Sequence, residues 1–175
     1  MWVFAYGSLL WNPGFRPVEA VTARLAGYRR SFCMLSIHYR GTVEAPGLVL
    51  ALDAEPGAEC VGVALRVDEA EAAEVLDGLR ARELVSSAYA EREVDVALAD
   101  GRRVRAVAYV ISRGHAQYCT LPIAEQARII AAAAGDRGPN CDYLYNTAAH
   151  LRGLDITDPD LDDLEHRVRL LRGAG

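Results

Sequence analysis

Hydrophobic residues in the first two-thirds of the chain occur in short runs that turn-forming residues interrupt, a pattern typical of β-strands. The first run begins at Val3 and breaks at Tyr6-Gly7-Ser8, because glycine permits backbone angles that let the chain turn sharply. Asp100-Gly101 separates two later runs and predicts a hairpin. The later runs predict strands at residues 28–35, 48–52, 60–67, 94–98 and 104–110, and residues 53–57 are predicted to end the strand before them.

Helical periodicity appears first between the predicted strands 60–67 and 94–98. Asp68 and Glu71 are spaced as a weak capping box at the start of this middle helix. Apolar residues then follow at i, i+3, i+4 and i+7, at positions Ala72, Val75, Leu76 and Leu79. One face of this helix is therefore predicted to pack against the sheet.

Three more helices are predicted in the last third of the chain. The first starts near Pro122 and stops at Gly135, and the second runs from an N-cap at Asn140 to Gly153. The third starts at Asp158-Pro159, and its apolar stripe is formed by Leu161, Leu164, Val168 and Leu171. Strands followed by helices, with one helix inserted, predict an α+β fold with a mainly antiparallel sheet.

Length and composition indicate one domain spanning residues 1–175, since 51% of the residues are hydrophobic and 25% are charged, as in ordinary globular proteins. The net charge of −5 and the scattered basic residues argue against a nucleic-acid partner. No apolar run approaches the length of a membrane span, and because the first strand is predicted to start at Trp2 we expect no signal peptide. We therefore expect a cytoplasmic protein that binds neither nucleic acid nor membrane.

The spacing of cysteines and histidines does not predict a metal or redox centre. The four cysteines stand far apart without a CxxC pair, at Cys33, Cys60, Cys119 and Cys141. We interpret them as reduced structural thiols. The four histidines show no HExxH-type spacing.

Glu83 occupies a position where the middle helix should bury an apolar residue. Leu76, Leu79 and Glu83 lie at i, i+3 and i+7 on one face. Partial burial and the helix C-terminus both disfavour the charged form of a carboxyl group, which suits a general base working near neutral pH. The alternative is that the helix ends by Ala81 and leaves Glu83 in solvent, paired with Arg80 or Arg82.

The turn after the first strand offers a second candidate for chemistry. A sharp turn at Gly7 can point successive backbone N–H groups one way, which creates a small anion-binding concavity. The alternative is an ordinary turn after a buried strand. The octapeptide of residues 3–10 does not by itself decide between the two.

Taken together, these features resemble the γ-glutamylcyclotransferase fold family, and most closely its ChaC-type, glutathione-specific branch. The similarity extends from residue 2 to about residue 170. It is carried by Trp2-Val3-Phe4-Ala5-Tyr6-Gly7-Ser8-Leu9, Arg30-Ser31-Phe32-Cys33, Ser36-Ile37-His38-Tyr39-Arg40-Gly41-Thr42 with Pro46-Gly47, Gly62-Val63-Ala64, Arg82-Glu83 followed by Tyr89, and Gly138-Pro139-Asn140 with Tyr143-Leu144. Tyr-Gly-Ser-Leu alone is a weak motif, whereas all of these in order form a specific one.

The resemblance implies a mixed β-barrel with flanking helices, a pocket at its mouth, and no metal or cofactor. It also implies a lyase that acts on a small molecule, converting glutathione or a related γ-glutamyl compound to 5-oxoproline and a free amine. Carried over to this chain, the catalytic acid/base is Glu83. The substrate-binding loop comprises Val3, Phe4, Ala5, Tyr6, Gly7, Ser8 and Leu9.

This chemistry agrees with the features read from the residues. Glu83 can take a proton from the substrate α-ammonium, whose nitrogen then attacks its own γ-carbonyl, and can return a proton to the departing amine. Backbone N–H groups around Gly7 are candidate donors to the developing oxyanion. Tyr89 and Tyr143 are candidate sources of further hydroxyls, although a buried tyrosine commonly bonds its hydroxyl for structural reasons.

The chain departs from the family pattern at three places. Ala5 stands where the family usually has glycine, which is compatible with function unless that position needs positive φ. Ser86-Ser87-Ala88 follows Arg-Glu where many relatives have a glycine pair, and Tyr39 stands where a second histidine is common. The last two departures bear on the dipeptide side of the substrate.

Two other functions compete with glutathione cyclotransfer. One is a cyclotransferase for other γ-glutamyl amines. The other is a non-catalytic module that binds a small ligand on the same fold; the presence of both Tyr6-Gly7-Ser8 and Glu83 argues against it.

Overall fold

The computed structural model describes residues 1–173. The strands are β1 (Trp2–Ala5), β2 (Glu19–Ser36), β3 (Gly47–Arg66), β4 (Tyr89–Leu98), β5 (Arg103–Ile111), β6 (Ala134–Gly135) and β7 (Gly138–Pro139). The helices are a 3₁₀ turn (Ser8–Leu10), α1 (Ala72–Glu83), α2 (Ile123–Ala132), α3 (Asn140–Gly153) and α4 (Pro159–Gly173). The chain divides into two compact units, one of Met1–Ser31 with Ala51–Ala116 and one of Phe32–Leu50 with the residues from Gln117 onward.

Five strands close a barrel in the order β1-β3-β2-β4-β5. Most neighbours are antiparallel, whereas β5 pairs in parallel with β1 at Val107–Val3 and with β3 at Val110–Leu52. The α+β class, the mainly antiparallel strands and the mixed barrel are thus confirmed. The Asp100-Gly101 hairpin is also confirmed, and Gly101 there takes φ +92°, a conformation that favours glycine.

Both faces of β1 are buried, which explains why its sequence is apolar without alternation. Phe4, together with Tyr6 just beyond the strand, faces a cluster that includes Leu25, Leu52 and Val96. The other face, Val3 and Ala5, contributes to a second cluster whose members are Val3, Ala5, Leu9, Val63, Leu65, Val67, Leu79 and Tyr109. Because Leu79 lies on α1, this second cluster confirms that the apolar face of the helix packs against the barrel.

The predicted break at residues 53–57 is wrong, since β3 continues through it as one strand of 20 residues. Gly57 adopts φ +87° and Gly27 in the neighbouring β2 adopts φ +81°. Glycine in this conformation permits a bulge that bends a strand without ending it. The local signal of proline and glycine therefore lies inside a continuous strand.

The second unit is built mainly from α2, α3 and α4, which pack on one another. Asn140 was predicted to cap α3, but it is the first helical residue and Pro139 precedes it as the cap. The side chain of Asn140 instead bonds the backbone of Leu48 twice, accepting from its N–H and donating to its carbonyl, both at 2.7 Å. A buried amide satisfied in this way ties the helix to the start of β3.

Two further details of the helix predictions need correction. Helix α2 ends at Ala132, before Gly135, because Ala134–Gly135 pairs with Gly138–Pro139 in a short ladder. On α4 the residues Leu161, Leu164 and Val168 are buried as predicted, whereas Leu171 is 47% exposed. No helix within residues 1–173 is both long enough and apolar enough to span a membrane.

Candidate active site

The chain leaves β1 at Ala5 and turns through Tyr6-Gly7 into a single 3₁₀ turn at Ser8–Leu10. Gly7 is buried with φ −137°, so the sharp turn is made without a left-handed backbone. Ala5 does not have positive φ either, so its methyl group is compatible with the backbone. The N–H groups of Leu10, Trp11 and Asn12 bond back to the carbonyls of Gly7 and Ser8, which makes the loop compact.

Tyr6 is anchored at both its side chain and its backbone. The hydroxyl donates to the carbonyl of Tyr109 at 2.7 Å, and the carbonyl of Tyr6 accepts from Arg30 Nε at 2.6 Å. Arg30 also donates to the Val61 carbonyl at 2.6 Å. On the neighbouring strand, an added Cβ at Gly62 would lie 2.4 Å from the Ala5 carbonyl oxygen, so only glycine fits there. The loop is therefore held rigidly on the barrel.

Glu83 is the last residue of α1, two residues beyond the end that the alternative interpretation assumed. Its side chain is 16% exposed and its Oε1 atom is buried. Oε1 lies 3.1 Å from Arg82 Nε, so the pairing with Arg82 that the alternative named is present. Glu83 is thus a half-buried carboxylate at a helix C-terminus, beside a cation.

Arg82 connects this carboxylate to the loop after β1. It donates from Nη2 to Ser8 Oγ at 2.7 Å and from Nη1 to the Asn12 carbonyl at 2.5 Å. Its side chain is only 19% exposed. The structure therefore brings Ser8 and Glu83, two residues predicted for the site, onto one guanidinium group.

Tyr109 lies on β5, where its carbonyl accepts the Tyr6 hydroxyl bond and its own hydroxyl is 3.3 Å from Glu91 Oε2. Burial raises the pKa of Tyr109, and the negative charges of Glu91 and Glu83 raise it further. Arg80 donates to both oxygens of Glu91 at 2.7 and 2.8 Å, which lowers the pKa of Glu91. Tyr109 is therefore a neutral hydroxyl within electrostatic range of the Glu83 carboxylate.

The two predicted tyrosines have different surroundings. Tyr89 is partly buried against the cluster that contains Val3, Ala5 and Leu9 from the predicted loop. Tyr143 lies in the second unit, where its hydroxyl oxygen accepts from the Leu50 N–H at 3.3 Å. The roles of Val3, Phe4, Ala5, Tyr6, Gly7, Ser8, Leu9, Tyr89 and Tyr143 in substrate binding stay predictions.

Ser87 adopts φ +57° in the turn that follows Glu83. This is a left-handed conformation that glycine takes readily and serine does not. The glycine pair of the family pattern would fall at this turn, so the chain keeps the turn with a less suitable residue.

Sequence reasoning missed Arg30 and Tyr109 as parts of this region, and it named Arg82 only as a candidate ion-pair partner of Glu83. Arg82 and Arg30 occurred within the motifs that carried the resemblance, but no local pattern showed that their side chains bond the loop after β1. Within residues 1–173, no three His, Cys, Asp or Glu side chains cluster in a way that could hold a metal ion.

The sequence and the fold were compared with known proteins. A family model described as ChaC-like protein matches residues 1–171. The glutathione-specific γ-glutamylcyclotransferase of Escherichia coli K12 is 36% identical, over 98% of this chain and 74% of its own length. The enzyme of that name from Schizosaccharomyces pombe is 32% identical, over 97% of this chain and 92% of its own length.

Solved structures show the same fold. A crystal structure of a yeast γ-glutamyl cyclotransferase specific to glutathione superposes with a TM-score of 0.91. The alignment covers 100% of this chain and 98% of the yeast chain, at 23% sequence identity. The fold of this chain is therefore a known one.

Proposed function

The chain belongs to the ChaC-like protein family, and on that premise we propose that it is a glutathione-specific γ-glutamylcyclotransferase. The relatives named above carry this activity in their names and match nearly the whole chain. The placement of Glu83 is the main support for the proposed site. Its carboxylate is half-buried and is joined through Arg82 to the loop after β1.

The proposed reaction is an intramolecular acyl transfer. The α-nitrogen of the γ-glutamyl group forms a bond to its own γ-carbonyl carbon, and the amide bond to cysteine breaks. The products are 5-oxoproline and cysteinylglycine, and no water is consumed. Because nucleophile and electrophile belong to one molecule, the enzyme contributes mainly by selecting the conformer in which they meet.

Glu83 is the proposed general acid/base. It accepts the proton that the α-ammonium must lose before its nitrogen can attack, and then donates a proton to the departing amine of cysteine. This role requires an ionised carboxylate before the reaction begins. The adjacent guanidinium of Arg82, 3.1 Å from Oε1, favours that form.

The loop after β1 is the proposed oxyanion-binding element. As the γ-carbonyl becomes tetrahedral its oxygen gains negative charge, and rigid donors stabilise such charge without reorganising. The N–H groups around Tyr6, Gly7 and Ser8 are the proposed donors, supported by the tight anchoring of Tyr6. One such donor typically contributes about 3 kcal/mol to transition-state stabilisation.

A panel of γ-glutamyl compounds tests this function and separates it from the broader cyclotransferase activity. We expect 5-oxoproline from glutathione and much less from γ-glutamyl amines that lack the cysteinylglycine part. Comparable rates on all γ-glutamyl amines would establish the broader activity instead. Ligand-induced stabilisation by glutathione without any 5-oxoproline would show a binding module.

Two further proposals concern the domain organisation and the cellular location. We propose that residues 1–175 act as one catalytic domain, which the match of the family model to residues 1–171 supports. We also propose a cytoplasmic location, because glutathione as a thiol substrate is kept reduced there. Fractionation of cells with an antibody to the intact protein tests the location.

A further inference from the structure

Arg82 makes three different contacts with its three guanidinium nitrogens. Nη1 donates to the Asn12 carbonyl at 2.5 Å, Nη2 donates to Ser8 Oγ at 2.7 Å, and Nε lies 3.1 Å from Glu83 Oε1. Ser8 begins the 3₁₀ turn after β1 and Asn12 lies two residues beyond its end, whereas Glu83 ends α1. One side chain thus touches both elements that the proposed reaction uses.

The contact between Arg82 and Glu83 is unusual for a helix. Residues at i and i+1 project in directions about 100° apart and do not normally face each other. Arg82 can still reach Glu83 Oε1 because Ser8 and Asn12 hold its guanidinium group in place. The position of the carboxylate is therefore coupled to the position of the loop.

Arginine is suited to contacting the loop and Glu83 at the same time. Its planar guanidinium presents five N–H donors in a fixed fork, whereas lysine presents a compact ammonium group on a flexible stem. The Arg82 and Glu83 side chains are 19% and 16% exposed, so solvent screens their attraction less than at an open surface. The bridge therefore consists of two hydrogen bonds to the loop and one ion-pair contact with Glu83, which place the positive charge beside the carboxylate.

We propose that Arg82 is a positioning residue that sets the distance between the Glu83 carboxylate and the loop of residues 6–12. This inference rests on the proposed cyclotransferase function. Ring closure requires the base and the oxyanion donors to be on fixed sides of one bound molecule. A shift of about 1 Å in such an arrangement can cost about 100-fold in rate.

The test compares Arg82→Gln with Arg80→Gln as a matched control. Arg80 lies on the same helix and forms a more exposed ion pair, with two hydrogen bonds to Glu91. We expect Arg82→Gln to lower kcat for 5-oxoproline release by about 100-fold, with a much smaller change in KM for glutathione. Arg80→Gln should keep kcat close to that of the wild type.

The pH profile gives a readout that a purely structural role would not move. Because glutamine carries no charge to favour ionised Glu83, the acid limb of the kcat profile should move to higher pH in Arg82→Gln. Arg82→Lys should return that limb towards the wild-type position. It should leave kcat reduced, since three donors on a single ammonium nitrogen cannot reach partners that three separate guanidinium nitrogens contact.

A double variant tests the bridge itself. If Ser8 and Arg82 act through one contact, Ser8→Ala combined with Arg82→Gln should lose no more activity than Arg82→Gln alone. Additive losses of activity would show that Ser8 and Arg82 act independently, which would overturn the proposed bridging role of Arg82. If Arg82→Gln does not fold, as judged by circular dichroism, Arg82→Lys carries the test, and full wild-type kcat in that variant would overturn the proposal.

The outcomes separate this inference from the function on which it rests. A wild-type protein that releases no 5-oxoproline from any γ-glutamyl compound overturns the proposed function. An active wild type, with an Arg82→Gln variant as active as Arg80→Gln and an unmoved acid limb, overturns only the positioning role.

Discussion

Glu83 and Glu165 are two glutamates withdrawn from solvent, and arginines surround them in different ways. Glu165 lies within α4, with a side chain 8% exposed, and receives hydrogen bonds from Arg152 and Arg169 at 2.7 Å each. Glu83 ends α1 beside Arg82, whose other two nitrogens bond the loop after β1. The arginines of Glu165 hold that carboxylate, whereas the arginine of Glu83 holds the loop as well.

This difference separates a structural carboxylate from a candidate catalytic one. Burial favours the neutral form of Glu165, but the hydrogen bonds from Arg152 and Arg169 outweigh it and lower the pKa of Glu165. A carboxylate bonded at both oxygens in this way is a poor base. Glu83 lies instead at a helix end beside one arginine that also bonds the compact loop after β1, so Glu83 is the candidate for proton transfer.

The largest effect is expected for Glu83→Gln. The amide keeps the size of the side chain but cannot accept the α-ammonium proton, so kcat should fall by about 10²- to 10⁴-fold. The thermal unfolding midpoint should stay close to that of the wild type. Steady-state assay of 5-oxoproline release measures kcat, and differential scanning calorimetry measures the unfolding midpoint.

Glu165→Gln should show the opposite pattern, with kcat retained and the free energy of unfolding lowered. Loss of the charged hydrogen bonds should cost about 1–3 kcal/mol, towards the lower end because both arginines are half-exposed. Urea denaturation at neutral pH measures this change. A large loss of kcat in a folded Glu165→Gln variant would contradict the distinction between the two glutamates.

The free energy of unfolding of the wild type and of Glu165→Gln should depend differently on pH. A carboxyl whose pKa is lowered by folding stabilises the protein above its unfolded pKa, and that stabilisation is lost as pH falls through the folded value. The wild type should therefore lose stability as pH falls below the ordinary glutamate value of 4.5. Glu165→Gln should lose less over that range, and equal slopes in the two proteins would contradict the assignment.

A smaller effect is expected for Tyr6→Phe. Its hydroxyl donates to the buried carbonyl of Tyr109, so its removal should lower the free energy of unfolding by about 1 kcal/mol. Its effect on kcat should be far smaller than that of Glu83→Gln, because the hydroxyl is bonded within the barrel. Equal losses of kcat in the two variants would place the Tyr6 hydroxyl in the chemistry.

The smallest effect is expected in the turn after Glu83, a feature that Glu165 lacks because α4 continues beyond it. Ser87→Gly relieves a left-handed serine at φ +57° and should raise the free energy of unfolding by about 0.5 kcal/mol. Ser86→Gly is the matched control, and it should lower stability because Ser86 does not have positive φ. Equal changes in both variants would show that the turn is not strained.

The sequence predicted the parts of this site that leave a local pattern. Glu83 was selected as a candidate because it interrupts an apolar helical face, and the loop was selected because Gly7 interrupts an apolar strand. The bridge between them left no such pattern, since Ser8 and Arg82 are separated by 74 residues. Side-chain contacts over that distance depend on how the strands close the barrel, which periodicity does not encode.

The fold was predictable to a similar degree. Helices with one apolar face were found with nearly correct bounds, because burial of that face repeats along the sequence. The continuation of the strands through Gly27 and Gly57 was not predicted, since a glycine inside a strand resembles a glycine in a turn when only the sequence is known. The side chain of Asn140 was misjudged because its partner, Leu48, is 92 residues away.

Product analysis of glutathione turnover in ¹⁸O-labelled water, with the wild type and Glu83→Gln, tests the proposed reaction most directly. We expect the wild type to release cysteinylglycine and unlabelled 5-oxoproline, because ring closure takes no oxygen from water. Glu83→Gln should release almost none. Formation of ¹⁸O-labelled glutamate, or wild-type rates in Glu83→Gln, would overturn intramolecular cyclisation with Glu83 as the acid/base.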